Sequence, residues 1–340
     1  MSTRKPVKII DTTLRDGSHA VHHQFSAEDI TRICKGLEAG GVYAAEVSHG
    51  AGIGGSTLQF GRARLSDRDM LTTAAAALKN TKLAVLLVPG LGTMEDLKVA
   101  KECGVEIVRI AVHCTEIDVA IQHVKLAKEI GLEVCAFFMM THMISADELL
   151  GYMKEAESYG VDYIYMADSA GAMVPEDIAV RVKLLKKELN VPIGLHCHNN
   201  LGLAIGNSVV GYEAGLDFID ATLQGLGPGS GNTPTEPLVA VLNKMKVDSG
   251  CNLYALMDTG DKYVKPLIQH TIQVTNQSLI LGYAGIYSSF YQKALDIAEE
   301  YDLDPRDIFV RLGDLKVIGG QEDMILDIAY KMAQERKAAS

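Results

Sequence analysis

The stretch Ser158-Tyr159-Gly160-Val161-Asp162-Tyr163-Ile164-Tyr165-Met166 joins the end of an amphipathic helix to a short apolar run, and the chain repeats this pattern. Glycine ends helices well because it adopts a positive φ at little cost. The apolar run is continuous rather than alternating, which is typical of a strand buried on both faces in a parallel sheet. The pattern recurs at Gly40-Gly41-Val42, Glu102-Cys103-Gly104-Val105, Glu129-Ile130-Gly131-Leu132 and Glu213-Ala214-Gly215-Leu216.

Eight apolar runs of this kind are predicted strands, at 7–11, 42–47, 82–88, 105–112, 132–139, 161–167, 192–197 and 216–222. Helical patterns separate them, and several begin with a Ser or Thr placed three residues before an acidic residue, namely at Ser26, Ser66, Thr93 and Ser145. Eight βα repeats predict a (β/α)₈ TIM barrel. An open doubly wound sheet is the alternative, and the lack of a Gly-x-Gly-x-x-Gly sequence after the first strand counts against it.

The pattern changes after about residue 250. Residues 258–340 read as helices alone, with breaks at Gly282-Tyr283-Ala284-Gly285 and at Gly319-Gly320. No low-complexity linker precedes them, so we expect these helices to be docked on the barrel. The sequence therefore predicts a catalytic barrel over 1–255 and a C-terminal helical domain over 256–340.

Composition excludes several classes of partner. The 340 residues are 48% hydrophobic, which is enough for a large core, and the net charge of −11 argues against a nucleic-acid partner. No apolar run is long enough to predict a membrane span, and Met1–Lys5 has no apolar stretch behind it that would suggest a signal peptide. The six cysteines form no Cys-x-x-Cys pair, so we expect reduced thiols and a cytoplasmic protein.

Asp16, His196 and His198 are a candidate ligand set for a divalent metal. Asp16 follows the first predicted strand, and the two histidines end the seventh, where positions i and i+2 face the same side. Catalytic groups of a (β/α)₈ barrel collect at the carboxyl ends of the strands, so the three side chains are expected to converge. The alternative is that both histidines are packed, hydrogen-bonded residues without a metal.

Two residues beside Asp16 suggest chemistry on an enolate. Arg15 offers a planar guanidinium that can bind a carboxylate or an enolate oxygen, although a structural ion pair with Glu46 is equally consistent with the sequence. His19 can take and return a proton near neutral pH. His22 and His23 are rival candidates for that role.

Other residues predicted at the barrel mouth could shape a substrate pocket. The loop from Gly225 to Gly231 either binds a phosphate through its backbone amides, as in a CoA substrate, or forms a tight turn. Asp168-Ser169 and His113-Cys114-Thr115 could line the pocket or hold the metal ligands through hydrogen bonds. The run from Leu86 to Pro89 supplies an apolar wall that suits a short alkyl group.

The chain resembles a known superfamily at these positions. Ile10-Asp11-Thr12-Thr13-Leu14-Arg15-Asp16-Gly17 together with His196-Cys197-His198-Asn199 is similar to the DRE-TIM metallolyases, which include isopropylmalate synthases, hydroxymethylglutaryl-CoA lyases and 4-hydroxy-2-oxovalerate aldolases. The similarity is greatest to the aldolase family. It runs nearly end to end, through Gly17-Ser18-His19, Met139-Met140-x-His142-Met143, Ile164-Tyr165-Met166-Ala167-Asp168-Ser169, His198-Asn199-Asn200-Leu201-Gly202, Gly285-Ile286-Tyr287-Ser288-Ser289-Phe290 and Gly319-Gly320-Gln321-Glu322-Asp323.

The resemblance implies a metal-dependent pyruvate aldolase that cleaves 4-hydroxy-2-oxopentanoate to pyruvate and acetaldehyde. The metal would be Mn²⁺, with Co²⁺ or Mg²⁺ as alternatives, bound by Asp16, His196 and His198. Arg15 would stabilise the pyruvate enolate, His19 would act as the base on the C4 hydroxyl, and Tyr287 would position the substrate. The residues expected to contact the 2-oxo acid are Arg15, Ser169, His196 and Tyr287.

The resemblance also implies a partner, an acylating acetaldehyde dehydrogenase in a heterotetramer. The C-terminal helices would contact it, and the aldehyde would pass through a channel near Gly319-Gly320. One alternative is a Claisen-type acyl-CoA lyase or synthase of the same superfamily. Two features count against it: this chain has Gly17-Ser18-His19 where Gly-x-Gln is expected, and its strand-8 loop lacks the cysteine expected in the lyase. The other alternative is a non-catalytic metal-binding subunit that only supports a partner enzyme.

Overall fold

The computed structural model describes residues 4–269, 271–287 and 290–339, and a closed parallel barrel forms its centre. Eight strands pair in chain order, and the first pairs with the eighth, so the predicted (β/α)₈ barrel is confirmed. The strands are β1 (Lys8–Asp11), β2 (Ala44–Glu46), β3 (Lys82–Leu87), β4 (Ile107–His113), β5 (Glu133–Met139), β6 (Tyr163–Asp168), β7 (Ile193–Cys197) and β8 (Phe218–Ala221).

Eight helices surround the barrel and connect its strands. They are α1 (Ala27–Gly40), α2 (Asp67–Ala77), α3 (Met94–Glu102), α4 (Ile121–Glu129), α5 (Ala146–Ser158), α6 (Pro175–Glu188), α7 (Ala204–Ala214) and α8 (Thr235–Lys244). The predicted caps Ser26, Ser66, Thr93 and Ser145 each accept a hydrogen bond from the backbone N–H three residues later. Gly160, after α5, has a φ of 86°, as the repeated pattern requires.

The barrel has two separate apolar layers. The larger layer lies between the strands and the surrounding helices, whereas the smaller one fills the barrel interior with side chains that include Leu86, Phe137, Tyr163, Tyr165 and Phe218. Strand residues alternate between these layers, since successive side chains point to opposite faces. The interior layer therefore forms the floor on which any group at the carboxyl ends of the strands must rest.

The C-terminal region is helical, as predicted. It contains α9 (Leu253–Thr259), α10 (Asn276–Ala284), α11 (Tyr291–Tyr301), α12 (Pro305–Asp314) and α13 (Met324–Ala339). Helix α9 packs against α1 and contributes Leu256 to the barrel core. The later helices share a second apolar core that includes Leu281, Phe290, Ile308, Phe309, Leu312, Ile325 and Ala329. Helix α10 ends at Gly285, whose φ is 68°, where a break was predicted.

Within the described ranges, none of the helices has both the length and the apolar composition that crossing a membrane would require.

Candidate active site

Asp16, His196 and His198 meet at the carboxyl end of the barrel. The Nε2 atoms of the two histidines are 3.3 Å apart, and each lies 3.6 Å from Oδ2 of Asp16. All three side chains are largely buried. Cys197, between the histidines, is buried on the opposite side of the strand, where it contacts Ser208 of α7. The predicted convergence of Asp16, after β1, with His196 and His198, at the end of β7, is therefore confirmed.

The three donor atoms fit a divalent ion. They lie close enough together to contact one ion at the roughly 2.1 Å typical of carboxylate and imidazole ligands. Although burial opposes its ionisation, the pKa of Asp16 is held well below the usual range by Arg15 and the two histidines. Burial lowers the pKa of His198 to about 4, so its ring is neutral at pH 7 and keeps a lone pair for a metal.

Arg15 binds both of the carboxylates that sequence analysis placed near it. Its Nε donates to Oε2 of Glu46 over 2.6 Å, and its Nη1 donates to Oδ1 of Asp16 over 2.5 Å. Its Nη2 is buried and makes no hydrogen bond within the described part of the chain. Arg15 also lines the cavity at the barrel mouth, so the ion pair with Glu46 and a role in ligand binding are compatible.

A buried chain of charges below the ligands was not foreseen. Arg109, with no exposed surface, donates from Nη2 to Oδ2 of Asp220 over 2.5 Å, and its Nη1 lies 3.3 Å from Glu46. The same Asp220 oxygen lies 2.8 Å from Nδ1 of His196. With a proton on Nδ1 donated to Asp220, the neutral ring of His196 would keep its Nε2 lone pair for a metal on the side of Asp16.

The charge balance of this group favours an added cation in place of the His196 proton, which is held because, although burial lowers the pKa of His196, its hydrogen bonds with Asp16 and Asp220 raise it. The carboxylates of Asp16, Glu46 and Asp220 face the guanidiniums of Arg15 and Arg109, so one negative charge is left over when the histidines are neutral.

Asn232, also missed from the sequence, donates from Nδ2 to Oδ2 of Asp16 over 2.7 Å and fixes that ligand. The sequence offered one signal for the buried charges: a charged residue within an otherwise apolar predicted strand, such as Arg109 in 105–112 or Asp220 in 216–222.

His19 lies in a short 3₁₀ turn (Asp16–Val21), and its ring lines the cavity. Burial lowers its pKa despite the nearby charge of Asp16, so the ring is neutral and able to accept a proton at pH 7. The rivals differ: His22 is exposed, and His23 is buried against the ring of His49. Among the three, only His19 is placed to meet a ligand in the cavity.

The cavity above these residues has a volume of about 400 Å³. Every predicted site residue contributes to its wall: Arg15, Asp16, His19, Ser169, His196, His198 and Tyr287. Tyr287 comes from the segment after α10, which is tied to the barrel where Nε2 of His142 lies 2.9 Å from the Gly285 carbonyl. Leu86, Val88, Phe137 and Met139 form an apolar side of the same cavity.

Three successive backbone amides of the strand-8 loop are engaged within the fold. The backbone N–H of Ser230 donates to Asn200, and those of Gly231 and Asn232 donate to backbone carbonyls within the loop. These amides are therefore not free for a phosphate, while Pro228 and Gly229 line the cavity wall.

The remaining mouth residues hold the loops. The Ser169 hydroxyl accepts a hydrogen bond from the Met140 N–H over 3.0 Å, and Asp168 accepts from the N–H groups of Ala172 and Met173. His113 lies 2.8 Å from the hydroxyl of Thr115 and faces a neighbouring cavity. Of these, Ser169 is the one that reaches the main cavity.

Two family profiles match this chain. The HMGL-like profile matches residues 6–262, and the profile of the DmpG-like communication domain matches residues 272–334. A likeness to the carboxyl transferase domain of Rhizobium etli pyruvate carboxylase with 3-hydroxypyruvate has a TM-score of 0.79 at 17% identity. It covers 98% of this chain and 61% of that one and bears on the fold alone.

Curated relatives match over nearly the whole length. A 4-hydroxy-2-oxovalerate aldolase of Carboxydothermus hydrogenoformans is 49% identical over 98% of this chain and 99% of its own. One of Moorella thermoacetica is 50% identical over 99% of both chains. Since the profiles and these relatives agree from end to end, this chain is an enzyme that belongs to the 4-hydroxy-2-oxovalerate aldolase family.

Proposed function

We propose that this enzyme catalyses the divalent-metal-dependent retro-aldol cleavage of 4-hydroxy-2-oxopentanoate to pyruvate and acetaldehyde. The observation that carries the proposal is the single cavity in which a three-residue ligand set, a guanidinium and a neutral imidazole face one another. These are the parts that enolate chemistry requires: a site for a cation, a fixed positive charge and a base. A subunit that only supported a partner would have no need for all three.

Substrate binding follows from the donors that remain free. A divalent ion held by Asp16, His196 and His198, for which we propose Mn²⁺ with Co²⁺ or Mg²⁺ as alternatives, would polarise the 2-oxo group. The unused Nη2 of Arg15 suits an oxygen of the same 2-oxo acid, because a buried donor gains most from an anionic acceptor. We place Ser169 at the carboxylate of the substrate and Tyr287 at its hydroxyl-bearing end. His196 would lie beneath the bound substrate.

Bond cleavage is a proton transfer followed by loss of the aldehyde. His19 accepts the proton of the C4 hydroxyl, and the electron pair of that O–H bond forms the carbonyl group of acetaldehyde. The C3–C4 bond breaks, and its electron pair becomes part of the pyruvate enolate, whose negative charge Arg15 stabilises. The enolate then takes up a proton at C3 to give pyruvate.

The apolar wall accounts for the alkyl group. Leu86, Val88, Phe137 and Met139 line the same cavity as the charged residues, and the Phe137 ring packs edge-on against His196, with ring centroids 5.6 Å apart. A methyl group at C5 of the substrate suits this wall, and somewhat longer chains also fit the proposal because the wall carries no polar group at these positions.

We further propose that the aldehyde passes to an acylating acetaldehyde dehydrogenase. The match to a communication domain supports an association with an aldehyde dehydrogenase. A second cavity of about 220 Å³ shares Val88, Met139 and Tyr287 with the active site and extends to Ile318 and Gly319. This is the direction expected of a channel, with residues 256–340 as the contacting domain beside a barrel of 1–255, in a heterotetramer in the cytoplasm.

Pyruvate release from 4-hydroxy-2-oxopentanoate by metal-stripped protein, with and without added Mn²⁺, tests the proposal. We expect release only with a divalent ion. The acyl-CoA alternative is tested in parallel by incubating the same protein with acetyl-CoA and 2-oxo acids and following free thiol. Release of thiol without aldol cleavage would overturn the proposal, as would absence of cleavage with any divalent ion when the partner dehydrogenase is also present.

A further inference from the structure

We propose that Gly50 and the stacked rings of His23 and His49 form a seat that holds the imidazole of His19 in position for proton transfer. The inference rests on the function proposed for His19. It assigns a role to the loop after β2, which carries none of the residues predicted to act on the substrate.

The two seat histidines are locked in place by their own contacts. Their ring centroids lie 3.6 Å apart in a stacked arrangement. His49 accepts a hydrogen bond at Nδ1 from the Ala51 N–H over 3.1 Å, which leaves its proton on Nε2, 3.1 Å from the Gly61 carbonyl. Nδ1 of His23 lies 3.1 Å from the Ser18 hydroxyl and accepts from the Gly50 N–H over 3.4 Å. These contacts tie the turn after β1 to the loop after β2.

The backbone of the seat is strained at His22 and His23, which indicates that the surrounding structure holds these residues in one defined conformation. His22 and His23 both have positive φ, of 52° and 61°, a conformation that costs a non-glycine residue about 1 kcal/mol or more. The surrounding contacts enforce it, since the His23 N–H donates to the Ser18 carbonyl and the His23 carbonyl accepts from the Arg64 N–H. A solvated loop histidine would need none of this.

His19 rests against this pair edge-on. Its ring centroid is 5.0 Å from that of His23 and 6.5 Å from that of His49, in both cases with a T-shaped geometry. Because the Nδ1 acceptors of His23 and His49 are already engaged, neither ring competes with His19 for the substrate proton. The two seat rings thus supply packing, while the Gly50 backbone makes a hydrogen bond with His19 that fixes the ring further.

Gly50 sets how close His19 can lie to the loop. A Cβ atom at this position would lie 2.5 Å from Nε2 and 2.6 Å from Cδ2 and Cε1 of His19, and these are the three nearest atoms it would meet. The φ of Gly50 is not in the left-handed region, so its backbone admits alanine. Gly50→Ala therefore displaces one ring and leaves the metal ligands where they are.

The test is Gly50→Ala in the full-length enzyme. We expect turnover of 4-hydroxy-2-oxopentanoate to fall about 10- to 100-fold, because a catalytic group misplaced by about 1 Å loses on this order. Mn²⁺ affinity should stay within about twofold, and so should decarboxylation of oxaloacetate, which forms the same enolate without removing a hydroxyl proton. Gly151→Ala is the matched control, since a Cβ there, on α5, meets nothing within 4 Å.

A double-mutant cycle separates a seat from a general structural role. Once His19→Ala has removed the ring, Gly50→Ala should cost nothing further in turnover or in melting temperature. Equal costs in both backgrounds would overturn the proposal, as would wild-type turnover of Gly50→Ala or a parallel loss of Mn²⁺ affinity. If Gly50→Ala alone fails to fold, a folded His19→Ala/Gly50→Ala protein supports the seat, and an unfolded one refutes it.

The melting-temperature cycle needs no substrate. An enzyme that shows no aldol cleavage would therefore refute the proposed function while leaving the seat open to judgement by that cycle. Conversely, a strong loss of turnover in His19→Ala with a neutral Gly50→Ala refutes the seat alone.

Discussion

The barrel mouth and the C-terminal helices bury their side chains in opposite ways. At the mouth, the carboxylates of Asp16, Glu46 and Asp220 lie almost fully out of solvent and form ion pairs with the buried guanidiniums of Arg15 and Arg109. The second core, around Phe309, is apolar, and Ser278 is the sole buried polar side chain among the residues described beyond Gly260. Buried ion pairs are weak sources of stability, whereas apolar cores are strong ones. The mouth is therefore organised for chemistry and the helical region for folding and contact.

Asp16→Ala should have the largest effect on turnover. The substitution removes one of the three proposed metal ligands and leaves Arg15 without one of its two carboxylate partners. We expect stoichiometric Mn²⁺ binding to be lost and pyruvate release to fall to background. Mn²⁺ titration of the metal-free protein measures the first effect; a variant that still binds one equivalent tightly would contradict the ligand assignment.

His19→Ala should lower turnover by about 10²–10⁴-fold, the usual contribution of a general base. Mn²⁺ binding and oxaloacetate decarboxylation should survive, because neither requires a base at this position. Comparing the two reactions in one preparation serves as the internal control. Wild-type cleavage of 4-hydroxy-2-oxopentanoate would remove His19 from the mechanism.

Arg109→Met should have a smaller effect on catalysis and a large one on stability. Removing this guanidinium leaves the Asp220 and Glu46 carboxylates buried with one partner fewer, which costs about 3–5 kcal/mol. Because Asp220 orients His196, Mn²⁺ affinity should fall by about 10- to 100-fold. Chemical denaturation and Mn²⁺ titration measure the two effects, with Tyr163→Phe, lower in the barrel interior, as a control. Unchanged metal affinity in folded protein would separate Arg109 from the site.

Phe309→Ala should leave turnover nearly unchanged. Phe309 is buried in the second core and stacks on Tyr291 at 5.5 Å, so truncation costs about 3–5 kcal/mol of local stability. Thermal unfolding should report this loss, while pyruvate release measured well below the transition stays within about twofold of wild type. A loss of turnover as large as that of Arg109→Met would show that the two regions are not energetically separate.

Local sequence patterns predicted most of the fold. All eight strands lie within a few residues of their predicted bounds, because the strands are short apolar runs and five of them follow a helix-ending glycine. The four predicted caps were found because Ser or Thr three residues before an acid satisfies the first N–H groups of a helix by local contacts alone. These features depend on neighbours in sequence, which a single chain reveals.

The convergence of the candidate metal ligands could be predicted from the sequence, but the contacts that support them could not. Asp16, His196 and His198 converge because the carboxyl ends of barrel strands share one rim. By contrast, the contacts of Arg109 with Glu46 and Asp220 depend on the register of three strands, and that of Asn232 with Asp16 depends on the path of the strand-8 loop. Likewise, the stack of His23 on His49 joins two loops whose meeting no periodicity indicates.

The buried charges also limit how the enzyme can change over evolution. Altering Arg109 alone leaves the Asp220 carboxylate buried without a guanidinium, and altering Glu46 or Asp220 alone removes one of the two carboxylate partners of Arg109. Breaking such buried pairs costs about 3–5 kcal/mol, comparable with much of the roughly 5–15 kcal/mol by which a typical domain stays folded. Such a substitution is therefore tolerated only together with a compensating substitution or with stability gained elsewhere in the protein. Exposed positions such as Leu58 and Phe60 carry no such constraint. We expect the reaction to be inherited almost unaltered while the rim of the mouth diversifies.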